Sequence, residues 1–272
     1  MPVRIAFPLL EAVLEADRLS QDTFSPFGTV IENPDRSLVP SPRMREVPPN
    51  ATQANQGSAL KYLDVTQMRN MYDLGTPSKK AAKAVMNMFI CAPRTLLPPH
   101  GPHINGLFPV EILERHPYTT QTFIPLGLSQ SEADQARYLV IVAPSLDPSP
   151  ADEGFPTPSD LAGGDQLPGR GLPDLTKVKA FIAYGSQAVT YGAGTWQVNR
   201  LPLSTLFYAY PVLHAPMVVV GKKPIDFVVV QFANGIAIED CQEAELETGG
   251  GGRLLVEIPT IGLQDDRRLF RL

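Results

Sequence analysis

Cysteine is scarce in this 272-residue chain, with only Cys91 and Cys241 present and far apart. Two such residues give neither a disulfide framework nor the paired thiolates of a zinc ribbon, which suits a reducing compartment. Both read most simply as small buried apolar residues. Positive charge is also short: 23 Lys and Arg against 28 Asp and Glu leave a formal charge of −5 and a pI near 5.4. A nucleic-acid partner is therefore not expected, since phosphate neutralisation needs a basic face. No uninterrupted apolar run approaches the roughly 18 residues of a membrane helix. Runs such as Phe227 to Val230 are strand-sized. Glu11 and Glu15 closely follow the short apolar start, and no small-residue cleavage pattern appears, so a secretory leader is not expected and the cytoplasm is the expected compartment.

Several catalytic signatures are missing as well. There is no G-x-S-x-G elbow, and neither cysteine adjoins a histidine in the chain, which disfavours covalent catalysis. Gly249 to Gly252 are not followed by the Lys-Ser/Thr of a phosphate-binding loop. Neither HxH nor HExxH occurs, so no tight metal site is legible. His100 and His103 lie in Pro98-Pro99-His100-Gly101-Pro102-His103, which reads as a solvated loop without the supporting contacts a metal site needs.

Proline, by contrast, is abundant, at 28 residues, about twice the usual share. Seven prolines and five glycines fall between Pro144 and Pro173, a stretch that can form neither helix nor central strand. A second loop is expected over 33–57. Between them lie runs rich in β-branched and aromatic residues: Val85–Cys91, Thr122–Leu126, Tyr138–Ala143, Gln187–Tyr191, Met217–Val220 and Ile225–Phe232. Helix signals are few. Ser78 reads as a cap for Lys79–Met86, and Asp174 as a cap for a short helix carrying Leu175, Val178, Phe181 and Ile182, stopped by Gly185. With 43% hydrophobic residues, the chain can build a substantial core. The expectation is a mainly β fold with a few short helices, a sandwich or small barrel.

The densest polar grouping is Glu114-Arg115-His116-Pro117 followed by Gln121, directly before the apolar segment Phe123-Ile124-Pro125. An acid, a permanent cation, an imidazole and an amide at the rim of a core can perform acid/base chemistry on a small anion, with the arginine holding a carboxylate. The same residues can equally form a structural ion pair, Arg115 with Glu114 or Asp226. His116 and His214 adjoin strand-like segments and are the two histidines that read as cavity-facing, a core role being the alternative.

These blocks resemble the ureidoglycolate lyase family. The match runs from Phe24-Ser25-Pro26-Phe27-Gly28-Thr29-Val30-Ile31-Glu32 through the Glu114 to Pro125 cluster and Tyr138–Ala143. It continues through Pro173-Asp174-Leu175, Lys179-Ala180-Phe181, Gly194-Thr195-Trp196, His214-Ala215-Pro216-Met217 and Ile225-Asp226-Phe227. The proline-rich insertions resemble those of fungal members. The resemblance implies one domain over 1–272 with a cupin-like barrel (a double-stranded β-helix) and loop insertions at 33–57, 144–173 and 197–213. It implies a carbon–nitrogen lyase of the amidine type that cleaves (S)-ureidoglycolate to glyoxylate and urea in allantoin breakdown, as a homodimer. On that reading His116, His214 and Glu114 supply the base and acid, Arg115 clamps the carboxylate and Gln121 reads the ureido group. Trp196 walls the pocket and Asp226 orients a histidine or satisfies turn amides. The cupin metal cage is incomplete, leaving His116 and His214 as ligands for at most a weakly bound divalent metal.

One departure stands out. The family pattern runs from Trp directly into His-x-Pro, whereas here Gln197 to Leu213 separate Trp196 from His214. A tolerated loop, a retained intron and an inactivating insertion are the three explanations, and the scarcity of charge in the segment favours the intron. The competing function is a non-catalytic cupin-like anion-binding protein or inactive paralogue.

Overall fold

The computed structural model describes residues 2–6, 11–159, 170–198, 217–247 and 252–260. The chain opens with β1 (Val3–Ala6), β2 (Glu11–Glu15), β3 (Asp17–Arg18), α1 (Gln21–Phe24), β4 (Gly28–Glu32), β5 (Ala51–Ala54) and β6 (Ala59–Tyr62). Next come β7 (Lys83–Cys91), β8 (Ile104–Val110), β9 (Ile112–Arg115), β10 (Gln121–Leu126), α2 (Gln130–Ala133) and β11 (Arg137–Ala143). The remainder is β12 (Lys179–Tyr184), β13 (Gln187–Tyr191), β14 (Trp196–Val198), β15 (Val218–Val220), β16 (Ile225–Ala233), α3 (Ala237–Asp240), β17 (Gln242–Glu247) and β18 (Arg253–Pro259). The fold is thus mainly β with short helices, as expected.

The strands form three principal layers. An eight-stranded sheet in the order β1-β17-β9-β14-β11-β12-β3, with β15 also on β11, lies in the middle. A five-stranded sheet, β4-β13-β10-β16-β7, covers one face, and a three-stranded sheet, β2-β18-β8, covers the other. β11 is buried at every position because both of its faces are covered, which is why its sequence is a continuous apolar run. Leu139, Ile141 and Ala143 pack towards Phe108, Val110, Leu254 and Val256. Tyr138, Val140 and Val142 pack towards Phe123, Val189, Phe227 and Val229. β16, covered on one face, alternates instead: Ile225, Phe227, Val229 and Gln231 point inward. An edge-on ring contact of Tyr138 with Phe227 at 5.2 Å ties the middle sheet to the five-stranded one, and another, of Phe123 with Tyr191 at 5.9 Å, joins β10 and β13 within the latter. Each such pair adds about 0.5–1.5 kcal/mol beyond its burial.

Both helix expectations give way to strands. Lys83–Cys91 is β7, paired residue for residue with β16 from Cys91↔Ile225 to Lys83↔Ala233. Ser78 caps no helix; its hydroxyl donates to Glu239 Oε2 at 2.6 Å. Asp174 does cap, accepting from Thr176 N at 3.1 Å, but only a 3-10 turn over Leu175–Lys177. Phe181 and Ile182 then lie on opposite faces of β12, one in each core. A strand buried on both faces has no alternation, so its apolar positions fit helical spacing equally well.

The expected loops are partly ordered. The 33–57 segment contains β5 and a 3-10 turn at Asn55–Gly57, and 144–173 contains another at Pro150–Asp152. His100 and His103 are exposed in their loop. His214 and residues 199–213 of the proposed insertion lie outside the described residues. Gln197 and Val198, by contrast, are ordinary members of β14.

Candidate active site

Three short strands of the middle sheet build the polar cluster. β9 pairs antiparallel with β14, placing Glu114 opposite Gln197, and with β17, placing Glu114 opposite Glu243. Successive side chains on a strand point to opposite faces. Glu114 and Gln197 therefore face the five-stranded sheet, while Leu113, Arg115, Trp196 and Val198 face the three-stranded one.

On the first face, Glu114 is fully buried. Its Oε1 accepts from Gln197 Nε2 at 3.3 Å, and its Oε2 from the Cys241 thiol at 3.5 Å. Gln197 Nε2 also donates to Gln121 Oε1 at 2.7 Å, and Gln121 Nε2 to Gln231 Oε1 at 2.5 Å. This relay of amides bridges the two sheets and orients every member. It leaves one valence open: Gln197 Oε1 is buried and has no hydrogen-bond partner among the described residues. A buried acceptor in that condition costs about 1–3 kcal/mol, so it points to a ligand donor.

His116 follows β9 and sits on the Glu114 side, its Nε2 3.9 Å from Glu114 Oε1. Its Nδ1 lies 2.6 Å from the carbonyl of Asp240, and a carbonyl can only accept, so Nδ1 carries the hydrogen. Nε2 is thereby the ring nitrogen turned towards Glu114. Asp240 is itself pinned, its carboxylate accepting from Tyr72 Oη at 2.6 Å, Asn234 N at 2.9 Å and Gly235 N at 2.8 Å. Beside it, Glu239 accepts from Ser78 and Asn234, contacts that hold its carboxyl below the usual range despite its desolvation. The loop after β16 is thus a rigid support for the imidazole. Burial, then Glu114, pushes the Cys241 thiol well above its ordinary pKa; Tyr191, opposite Gln121 on β13, is raised by burial, then by Tyr138 and Glu114.

The second face is closed. Arg115 is fully buried and donates from Nε to Gln242 Oε1 at 2.8 Å, from Nη1 to Gly171 O at 2.7 Å and Ser145 Oγ at 3.3 Å, and from Nη2 to Arg170 O at 2.9 Å. Its guanidinium lies 4.6 Å over the Trp196 ring, whose Nε1 donates to the same Gly171 carbonyl at 3.2 Å. Gly171 fits this clasp because a Cβ there would stand 2.5 Å from Leu146 O. Burial lowers the arginine's pKa to about 10, so it stays charged at neutral pH.

The structure therefore brings together Glu114, His116 and Gln121 of the residues singled out from sequence. Strand alternation puts Arg115 and Trp196 on the opposite face, where they anchor the 170–171 segment. Asp226 pairs in register with Leu126, at the far end of β16 from Gln231, so it does not reach the cluster. His214 lies outside the described residues. Gln197, Gln231 and Cys241 were not singled out. Gln231 did carry a signal, being a polar residue at an inward position of an alternating apolar strand. A cavity of about 720 Å³, lined by Thr29, Asp64, Thr66, Arg69, Thr120 and Thr195 among others, opens on the outer side of β10 and β13, away from the inward-facing Gln121 and Tyr191.

The family model for ureidoglycolate lyase matches residues 11–207. The chain is 32% identical over 233 residues to the ureidoglycolate lyase of Schizosaccharomyces pombe, covering 86% of this chain and 91% of that protein. It is 31% identical over 226 residues to the ureidoglycolate lyase of Saccharomyces cerevisiae, covering 79% and 83%. Against the ureidoglycolate lyase of Burkholderia mallei the identity is 26% over 217 residues, covering 80% and 81%.

Proposed function

The chain belongs to the ureidoglycolate lyase family, and from that premise we propose that it is a lyase that cleaves (S)-ureidoglycolate to glyoxylate and urea. The observation that carries the reading is the buried Gln197 Oε1 acceptor beside Glu114 and His116. A ureido group presents N–H donors, which that oxygen accepts. The reaction breaks the bond between the hydroxyl-bearing carbon and the urea nitrogen and turns the hydroxyl into a carbonyl. One proton leaves the hydroxyl oxygen and one reaches the departing nitrogen. Glu114 and His116, 3.9 Å apart, are the acid/base pair on this reading, with Asp240 holding the imidazole tautomer. The Gln121, Gln197 and Gln231 amides orient the ureido end. Arg115 and Trp196 act indirectly, by fixing the strands that carry Glu114 and Gln197, and His214 is a further acid/base candidate.

The same reading places the protein in the cytoplasm, in allantoin breakdown for nitrogen, as a carbon–nitrogen lyase of the amidine type. Among the described residues, no helix is long and apolar enough to cross a membrane. Homodimerisation belongs to the reading too. Met86, Met88 and Ile90 stand exposed on β7, the edge strand of the five-stranded sheet among the described residues, on the same face as exposed Ile124 and Leu126 two strands away. An apolar edge of this kind is a template for a second copy of the chain. Sedimentation of wild type as a dimer and of Met88→Glu as a monomer is the expected result; equal mass for the two would remove that face from consideration.

Release of glyoxylate and urea from ureidoglycolate by the purified protein tests the main reading. No release above the uncatalysed rate would leave the non-catalytic binding protein as the better account.

A further inference from the structure

We propose that Glu114, His116 and Cys241 form a three-donor site for a thiolate-preferring divalent cation of the zinc class, and that its binding shuts off the lyase. The inference rests on the reading of Glu114 and His116 as the acid/base pair, because it concerns what else can take their lone pairs. One ligand atom from each of the three residues lies within 4.8 Å of the others. To the two oxygens of the Glu114 carboxylate, Cys241 Sγ lies 3.5 Å from Oε2 and His116 Nε2 lies 3.9 Å from Oε1. Zinc bond lengths of about 2.0–2.3 Å imply donor–donor separations of roughly 3.3–3.7 Å around a tetrahedral ion. Side-chain adjustments of a few tenths of an ångström to about an ångström would close the gap.

Two further observations favour a cation. The Asp240 carbonyl fixes the His116 proton on Nδ1, the second contact that metal-bound imidazoles generally make. The field is negative as well, with Glu243 directly across from Glu114 on β17 and Asp240 adjoining Cys241. A carboxylate and a thiolate balance a divalent charge, with the Cys241 proton released to solvent on binding. Sulfur beside nitrogen and oxygen selects zinc or cobalt over magnesium or calcium. Three protein donors leave a fourth position open, which an anionic oxygen or water fills. A bound cation occupies the His116 Nε2 lone pair and the Glu114 carboxylate, so neither can move a proton.

Cobalt(II) added to the chelator-treated protein is the direct probe, since a cobalt–thiolate bond gives a charge-transfer absorption. One cobalt per chain with that band is expected, and its loss in Cys241→Ser and Cys241→Ala, both checked for wild-type circular dichroism. Zinc should inhibit wild-type turnover, and in the two variants zinc sensitivity, read as inhibition relative to each variant's own zinc-free turnover, should fall about tenfold or more, in keeping with the loss of one ligand. Absence of the band, or a band unchanged in both variants, would overturn the site. Activation by zinc, or undiminished turnover in the cobalt-loaded protein, would overturn the competition. A protein that shows the band but never cleaves ureidoglycolate would fail the lyase reading and leave the metal site standing, whereas turnover without a band does the reverse.

Discussion

Glu114 and Arg115 are neighbours in the chain and opposites in the structure. Arg115 sits in a closed environment: its donors meet the carbonyls of Arg170 and Gly171, Ser145 and Gln242, and its flat face meets Trp196. Glu114 sits among groups held in place but, among the described residues, not fully satisfied, for Gln197 beside it keeps a buried acceptor open there. Burial is equally complete on both sides, so burial does not distinguish them. Saturation does, since a filled polar network stabilises a fold whereas an open valence is complete only with a ligand.

The sharpest way to break this contrast is to remove charge on each side and compare activity with stability. Glu114→Gln and His116→Gln should lower turnover by about 10²–10⁴, the usual worth of a positioned acid or base, while the denaturation midpoint moves little. A Glu114→Gln variant with near-wild-type kcat would sink the assignment. Arg115→Met should show the converse: a stability loss of about 2–5 kcal/mol in chemical denaturation, from stranding the buried Gln242 Oε1 and removing the guanidinium's bonds to the 170–171 segment, with turnover per folded molecule within a few-fold. Loss of kcat without loss of stability would instead put Arg115 on substrate. Gln197→Leu removes the open acceptor and should raise KM about tenfold, more than it lowers kcat, consistent with a lost hydrogen bond of order 1–1.5 kcal/mol.

The smallest effect expected lies outside both faces. The Asp174 carboxyl is held below its ordinary pKa of 3.8, chiefly by the Thr176 hydroxyl at 2.6 Å. A depressed folded-state pKa contributes stability above the unfolded value and loses it as pH falls through the folded one. Asp174→Ala should therefore be slightly less stable than wild type at neutral pH and indistinguishable from it at strongly acidic pH. A deficit that persists in acid would assign the effect to packing.

Much of the fold was readable in advance because it rests on local rules. Tyr138–Ala143 and Ile225–Phe232 announced themselves as strands by apolar content and β-branching. The two misread helices mark where those rules run out. The helix expected over Lys79–Met86 overlaps β7 only at 83–86, where the ladder with β16 extends the strand expected over Val85–Cys91, and Phe181 and Ile182 each find a separate core. Within the candidate site, the proximity of Glu114, His116 and Gln121 was legible because acid, imidazole and amide crowd one short segment. Gln197, Gln231 and Cys241 were not, because each lies far along the chain and reaches the cluster only through strand pairing or the pinned loop after β16.

By itself, then, the sequence determined the β class, the segment proposed to bear the chemistry and the family to which the chain belongs. Tertiary structure alone decided which of two adjacent polar residues faces the candidate acid/base cluster and which one holds the wall. The reason is the two-residue period of a strand: it sends Glu114 and Arg115 to opposite sides of one sheet, and only the layers packed on each side give those directions a meaning.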